Sequence, residues 1–292
     1  MTTQSVQKPG ILQSKSNQQR IGHFFLHAFL VLMGISFLMP LAWMFSTSFK
    51  APGEVFITPI EWIPQNPRPE NYPAIFEKLP LFSRMIFNSF YVTLLGTVGA
   101  VVSSVTVAFG LSRLEWPGRN ALFAVLVATL MLPGIVTLIP LFIIFKWMGW
   151  LGTFLPLWVP AWLGMSFYIF LMRQYMLTLP KELDEAAKID GASNFRILWQ
   201  IITPLCGPAI AAIAIFAFIH HYNDFMGPLI YLTENDQFTL PLGLMWFQGR
   251  FGNFWHLVMA ASMLTIIPVL ILFFVAQKHF VQGIQFTGLA GR

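Results

Sequence analysis

Six long intervals of this chain contain no charged residue. No Asp, Glu, Lys or Arg occurs between Arg20 and Lys50, Arg84 and Arg113, Arg119 and Lys146, Lys146 and Arg173, Arg196 and Asp224, or Arg250 and Lys278, and each interval holds 26 to 29 residues. The hydrocarbon layer of a bilayer takes roughly 20 apolar residues per helix and excludes ionised side chains. Backbone groups in lipid cannot reach water, so each interval must satisfy its own hydrogen bonds as a helix. The pattern predicts spans near 24–46, 90–111, 121–145, 151–172, 205–223 and 257–276, the fifth being the least apolar. The expected fold class is all-α integral membrane, with six transmembrane helices in one domain over 21–280.

Composition supports lipid as the solvent, because 56% hydrophobic and 10% charged residues over 292 positions cannot form one soluble core with a wetted surface. The first span, 23 largely apolar residues without a small-residue cleavage site, is too long for a signal peptide. The polar residues 1–20 read as a disordered tail, and 281–292 as a second tail. With six spans both termini share a side. The tails plus the second and fourth loops carry 11 Lys/Arg against 6 in the other three loops. That asymmetry places both termini in the cytoplasm. The net charge of +5 fits loops beside anionic lipid and requires no nucleic acid. The first outer loop is dense in proline (Pro52, Pro59, Pro64, Pro67, Pro69, Pro73, Pro80) and is expected to be extended. One cysteine, Cys206, allows no internal disulfide, and no metal site is expected.

The loop 173–204 is the most informative segment. Pro180 suits a first helical position, and Glu182, Asp184 and Glu185 place negative charge at the positive end of a helix dipole. Gly191 stops that helix and Ser193 caps a second, which runs to Pro204. Leu183, Ala186, Ala187 and Asp190 share one face, where paired alanines allow another protein to approach closely. Taken alone, Glu185 with Lys188 three residues on is a solvated helical pair worth a few tenths of a kcal/mol.

The run Glu185-Ala186-Ala187-Lys188-Ile189-Asp190-Gly191-Ala192, with Ile201 ten residues after the glycine and then Pro204, resembles the EAA signature of ABC importer permeases, the binding-protein-dependent inner membrane components. Thr203 stands where the family commonly has leucine. Glu70-Asn71-Tyr72, Asn88-Ser89, Asn223-Asp224-Phe225, Pro228-Leu229 and Phe280-Val281-Gln282-Gly283-Ile284, with Gly288 beyond, extend the likeness to the MalG-like subunits of the carbohydrate branch. The resemblance implies a type I permease fold in the bacterial inner membrane. It implies four kinds of partner: a second homologous permease, two ATP-binding subunits, an extracytoplasmic solute-binding protein and membrane lipid. Glu185, Ala186, Ala187, Asp190, Gly191, Ile201 and Pro204 would form the ATPase-coupling element, with Glu185 facing a basic group. The chain has no G-x-x-x-x-G-K-[ST] loop, so no cofactor is expected on it, and ATP and Mg belong to the partners.

The expected function is import of a mono-, di- or oligosaccharide by alternating access driven by those ATPases. Bends at Pro133, Pro140, Pro156, Pro160, Pro208 and Pro268 would shape the cavity. Trp158, Trp162, Tyr168, Tyr222 and Asn223, beside His220 and His221, offer aromatic faces and hydrogen-bond partners for a solute. The loop 224–255, through Thr233, Asn235, Gln237, Gln248 and Gly249, would meet the binding protein. Two alternatives stand beside this reading. A membrane enzyme, or an ion-coupled carrier, conflicts with all twelve Asp and Glu lying outside the charge-free intervals. A glycerol phosphate importer keeps the architecture but favours cavity arginines.

Overall fold

The structure is a computed structural model that describes residues 15–250 and 254–288, without the side chains of 15–18, 20, 21, 246–250 and 278–288. It is helical, with no strand among the described residues. Four helices are long and apolar enough to cross a bilayer, and six spans result if each of two bent pairs counts as one.

The first span, α1 (Lys15–Ser48), begins ahead of the expected boundary. Lys, Gln and Arg are good helix formers and extend a helix once it is nucleated, so the end of the expected tail is helical; residues 1–14 lie outside the described ones. The outer loop also departs from the expectation of extended chain, since it contains α2 (Asn71–Lys78). Pro73 is accommodated in its first turn, where backbone N–H groups have no intrahelical acceptor. The Asn71 amide donates to the carbonyls of Ser48 and Lys50 at 2.8 and 2.9 Å, and the Tyr72 hydroxyl meets Ser48 Oγ at 2.9 Å. These bonds satisfy backbone groups at the end of α1 and seat α2 against it. Lys50 is buried over the Trp43 ring, and burial pushes its ammonium below the ordinary lysine value against the pull of Glu61 and Glu54.

The second span, α3 (Phe82–Ser112), is the hub of the molecule. Its buried residues include Gly96, Ala100, Ser104 and Ala108 at four-residue spacing, with Gly99 and Ser103 beside them. Small side chains let helix backbones approach closely where lipid supplies no hydrophobic drive between helices. The third span does not run as one helix. Its pieces, α4 (Arg119–Thr129) and α5 (Gly134–Trp147), meet at 104°. Pro133 forces the break, because it fixes its own φ, lacks a donor and biases Leu132 away from helix. The fourth span is α6 (Leu155–Leu163) and α7 (Ser166–Met176), interrupted at Gly164, whose φ of 109° is open to glycine. Pro156 starts α6 and Pro160 lies inside it, as Pro140 and Pro268 lie inside their helices.

After α7 the chain forms α8 (Glu182–Ile189), α9 (Asn194–Arg196), a π-helical stretch over Ile197–Ile202 and α10 (Thr203–Leu205). It turns by 81° into the fifth span, α11 (Gly207–Tyr222), which Pro208 starts. The segment after it holds α12 (Met226–Tyr231) and α13 (Leu240–Arg250), and the sixth span is α14 (Trp255–Gly288). The expected tail is therefore helical as far as Gly288, with 289–292 outside the described residues.

Three buried clusters divide the core. One joins α3, α6, α7, α11 and the segment after α7, through Ala108, Ala161, Met172, Ala187, Ile197, Ile202 and Ala209. A second joins α2, the start of α3, the end of α11, α13 and α14. The third holds Val92, Phe145, Leu157, Tyr231 and Leu232. The most apolar window of α1 buries nothing against the rest of the chain, so lipid or another subunit covers it.

Candidate coupling site

The segment 182–205 is a helix, a tight turn and a helix. Three acids, Glu182, Asp184 and Glu185, occupy the first turn of α8. Pro180 precedes the helix by two residues and does not serve as its first position. Its end is a complete left-handed cap. Gly191 takes φ 77°, its N–H donates to Lys188 O at 3.0 Å, and the Ala192 N–H donates to Ala187 O at 2.9 Å. Ser193 caps the following helix, its Oγ accepting from the Arg196 N–H at 3.3 Å. Pro204 removes a donor and crowds the carbonyl four residues back, and just before it the helix widens to π geometry. Thr203 closes that widened turn, since both its N–H and its hydroxyl donate to Leu198 O, the latter at 2.7 Å.

The two faces of α8 differ. Asp184 and Ala187 point inward and are buried. Glu185, Ala186 and Ile189 point outward, Ile189 being 86% exposed, and Phe195 on the following helix is 73% exposed. The pairing of Ala186 with Ala187 as one approach surface therefore needs correction. Positions 186 and 187 are about 100° apart around a helix, so only Ala186 is presented, while Ala187 packs into the protein's own core. Asp190 is the exposed C-cap residue and makes no ion pair among the described residues. Ile201 is half-buried against the first cluster, and Pro204 is exposed.

Sequence reasoning missed the inward face. Asp184 Oδ2 accepts from Arg113 at 3.1 Å, with side-chain exposures of 11% and 2%. The same guanidinium donates to the carbonyls of Met176, Leu179 and Pro180 at 2.5, 2.9 and 3.2 Å. Arg173 on α7 in turn donates to Leu111 O at 3.1 Å, and its guanidinium lies 3.8 Å from the centre of the Phe123 ring. The available signal was positional: Arg113 is the first charge after the second interval, and Asp184 lies three residues before an inward alanine.

At the opposite end of α3 the structure explains the Asn88-Ser89 pair. The Asn88 amide donates to the carbonyls of Asp236 and Phe238 at 2.8 and 3.1 Å, and Ser89 Oγ accepts from the Leu240 N–H at 2.7 Å. Gln237 is turned inward and donates to Gly152 O at 2.7 Å, whereas Thr233 and Asn235 are exposed. Gln248 and Gly249 lie in the last turn of α13, outside the described side chains.

The candidate solute residues do not converge on one surface. Tyr168 and Tyr222 are 5% and 1% exposed, and the Tyr222 hydroxyl donates to Thr265 O at 2.9 Å, so both are packing residues. Trp158 is half-buried. Trp162 is partly exposed, yet its indole donates to Leu95 O at 3.0 Å and packs closely against Gly99. Asn223 is exposed. Beside it, burial raises the Asp224 carboxyl, opposed by the Gly227 N–H that it accepts at 3.0 Å.

Residues 96–286 match the family described as the binding-protein-dependent transport system inner membrane component. The trehalose/maltose transport system permease protein MalG of Thermococcus litoralis is 35% identical over 266 residues, covering 89% of this chain and 94% of that protein. The sn-glycerol-3-phosphate transport system permease protein UgpE of Escherichia coli is 34% identical over 268 residues, covering 89% and 95%. A crystal structure of a bacterial ABC transporter involved in the import of the acidic polysaccharide alginate superposes with a TM-score of 0.80 at 25% identity, covering 94% of this chain and 100% of that one. The chain thus belongs to the inner membrane components of binding-protein-dependent ABC transport systems, and its charge-free intervals are those of a multi-pass permease subunit.

Proposed function

We propose that this chain is one of two permease subunits of an importer that moves a carbohydrate into the cell, with ATP hydrolysed by separate subunits docked on segment 182–205. The observation that carries the reading is the two-faced helix α8. Its outer face offers Glu185, Ala186 and Ile189 to a partner, while its inner face is anchored in the transmembrane core. An apolar side chain as exposed as Ile189, next to a carboxylate on a rigidly capped hairpin, suits a cleft lined by apolar and basic groups. Closure of the ATPase pair then moves the hairpin, and with it the spans. The exposed Thr233 and Asn235, on the face reached from the start of α3, suit the solute-binding protein.

Overall identity does not separate cargoes, being 35% to a trehalose/maltose permease and 34% to a glycerol phosphate permease. The charge-free intervals favour an uncharged carbohydrate over a phosphate ester, because they offer no arginine at the depth of the spans. Two substitutions test the coupling. Glu185→Lys and Gly191→Asp are expected to abolish uptake and release the ATPase subunits from the purified complex while the chain still inserts in the membrane. Normal uptake by both variants would falsify docking at this hairpin. Uptake of a labelled panel of neutral sugars and phosphate esters by vesicles carrying the complex decides the cargo class, and transport of the esters alone would overturn the carbohydrate assignment.

A further inference from the structure

We propose that Arg113 is a positioning residue that locks the coupling helix α8 to the second span, so that nucleotide-driven motion of the hairpin enters the membrane through α3. The inference rests on the coupling reading above and goes beyond the EAA motif, which contains neither partner of the lock.

The geometry is specific. Arg113 is the C-cap of α3, and its own N–H closes the last turn on Phe109 O. Its guanidinium gathers four oxygens: Asp184 Oδ2 on α8, Met176 O at the end of α7, and Leu179 O and Pro180 O in the link between them. A planar fork with five donors can hold such a set, whereas an ammonium is a point charge with three. Arg173 completes the lock from the other side by donating to Leu111 O, one of the last four carbonyls of α3 that the helix leaves free. The ends of α3, α7 and α8 thus form one block.

The placement of Asp184 gives the block its function. It is the immediate neighbour of Glu185, and adjacent residues point about 100° apart, so the residue next to the outward carboxylate is the one held inside. Ala187, three residues on, lies on the same inner side and belongs to the buried cluster that also holds Ala108 of α3 and Met176 of α7. Apolar residues in place of both Arg113 and Asp184 could be as stable or more so, since a buried ion pair is weak evidence for stability. What an ion pair adds is a fixed register and orientation, which a lever requires. α3 is also the helix packed against α6, α7 and α11, so a push on α8 reaches three further helices at once.

The test uses the complete complex reconstituted in vesicles. Arg113→Gln and Asp184→Asn are expected to keep the ATPase subunits bound while the solute moved per ATP falls by at least about tenfold, the factor matching loss of a charge-assisted hydrogen bond. Arg113→Lys should fall between them and the native protein, and the double variant should be no worse than the single ones. An unchanged transport ratio in the intact complex overturns the proposal, as does a fall that merely follows loss of the ATPase subunits. A second measurement needs no disruptive variant. Spin labels at the exposed positions Glu115 and Lys188 should keep their separation between nucleotide-free and ATP-trapped states. Movement of several ångströms between them would show that α8 does not travel with α3. Glu185→Lys serves as the control: if it leaves both docking and uptake intact, the coupling reading fails, whereas the spin-label distance judges the lock by itself.

Discussion

Asn71 shows how one side chain can decide the shape of an outer loop. Its amide supplies two donors, to the carbonyl of Ser48 at the end of α1 and to that of Lys50 in the turn beyond it, and the residue is 6% exposed. Asn71→Ala removes both donors and leaves buried acceptors unsatisfied, a cost of about 1–3 kcal/mol for each group that water cannot reach. The expected outcome is a lower melting temperature in detergent and faster proteolysis within residues 51–68, with Asn71→Asp no rescue because a carboxylate cannot donate. Unchanged melting would mean that α2 is seated by its apolar contacts alone. At this scale the sequence was only half legible. Glu70-Asn71-Tyr72 and Asn88-Ser89 stand out as family likeness, but their physical role as staples between distant backbone segments depends on partners 21 to 151 positions away. Asp184 and Arg113 were unreadable for the same reason, being 71 positions apart. Tyr168 and Tyr222 read as solute residues because tyrosine suits both a sugar and a core, and only burial separates the two roles.

Elements were more legible than contacts because lipid imposes a one-dimensional rule. A charge-free interval must be helical, and no tertiary information is needed to say so. Capping is equally local: Gly191 and Ser193 fix the hairpin through bonds spanning three to five residues. The broken third span was not legible. Pro133 and Pro140 lie seven residues apart in one apolar run, yet only Pro133 turns the chain, by 104°, while Pro140 stays inside α5. Which proline breaks a helix depends on neighbours that re-satisfy the freed carbonyl. The small-residue face of α3 was likewise overlooked as a packing code. A methyl group at Gly96 would stand 2.5 to 2.7 Å from three atoms of the His221 ring, and one at Gly99 would enter the Trp162 indole. Overpacking a core costs about 1–3 kcal/mol, and more where an aromatic ring cannot retreat. Gly99→Val is therefore expected to reduce accumulation of folded chain in the membrane severely. Gly110→Val, at a position on the same helix with open space around it, serves as the matched control. Equal accumulation of the two variants would show that α3 and α6 are not in the close contact described.

For the molecule as a whole, α3 fixes which parts must lie on opposite sides of the membrane. Asn88, near its start, is bonded to the backbone around Asp236, whereas Arg113, at its end, holds Asp184. The rise from one to the other is about 37 Å along a helix, more than the roughly 30 Å of hydrocarbon in a bilayer. Asn235 and the 182–205 hairpin are therefore predicted to face different compartments. The distribution of Lys and Arg predicts a cytoplasmic hairpin, the side that the proposed docking on ATPases requires. Cysteine labelling checks both statements. Asn235→Cys is expected to react with a membrane-impermeant maleimide in intact cells with an opened outer envelope. Glu115→Cys, in the exposed loop after Arg113, should react only after the inner membrane is permeabilised. The native Cys206 is fully buried and contributes no background. Reversed labelling would invert the topology and remove the ATPases' access to Glu185. Labelling of both positions from one side would mean that α3 does not cross the bilayer, and a lever fastened to its end could then move nothing within the membrane.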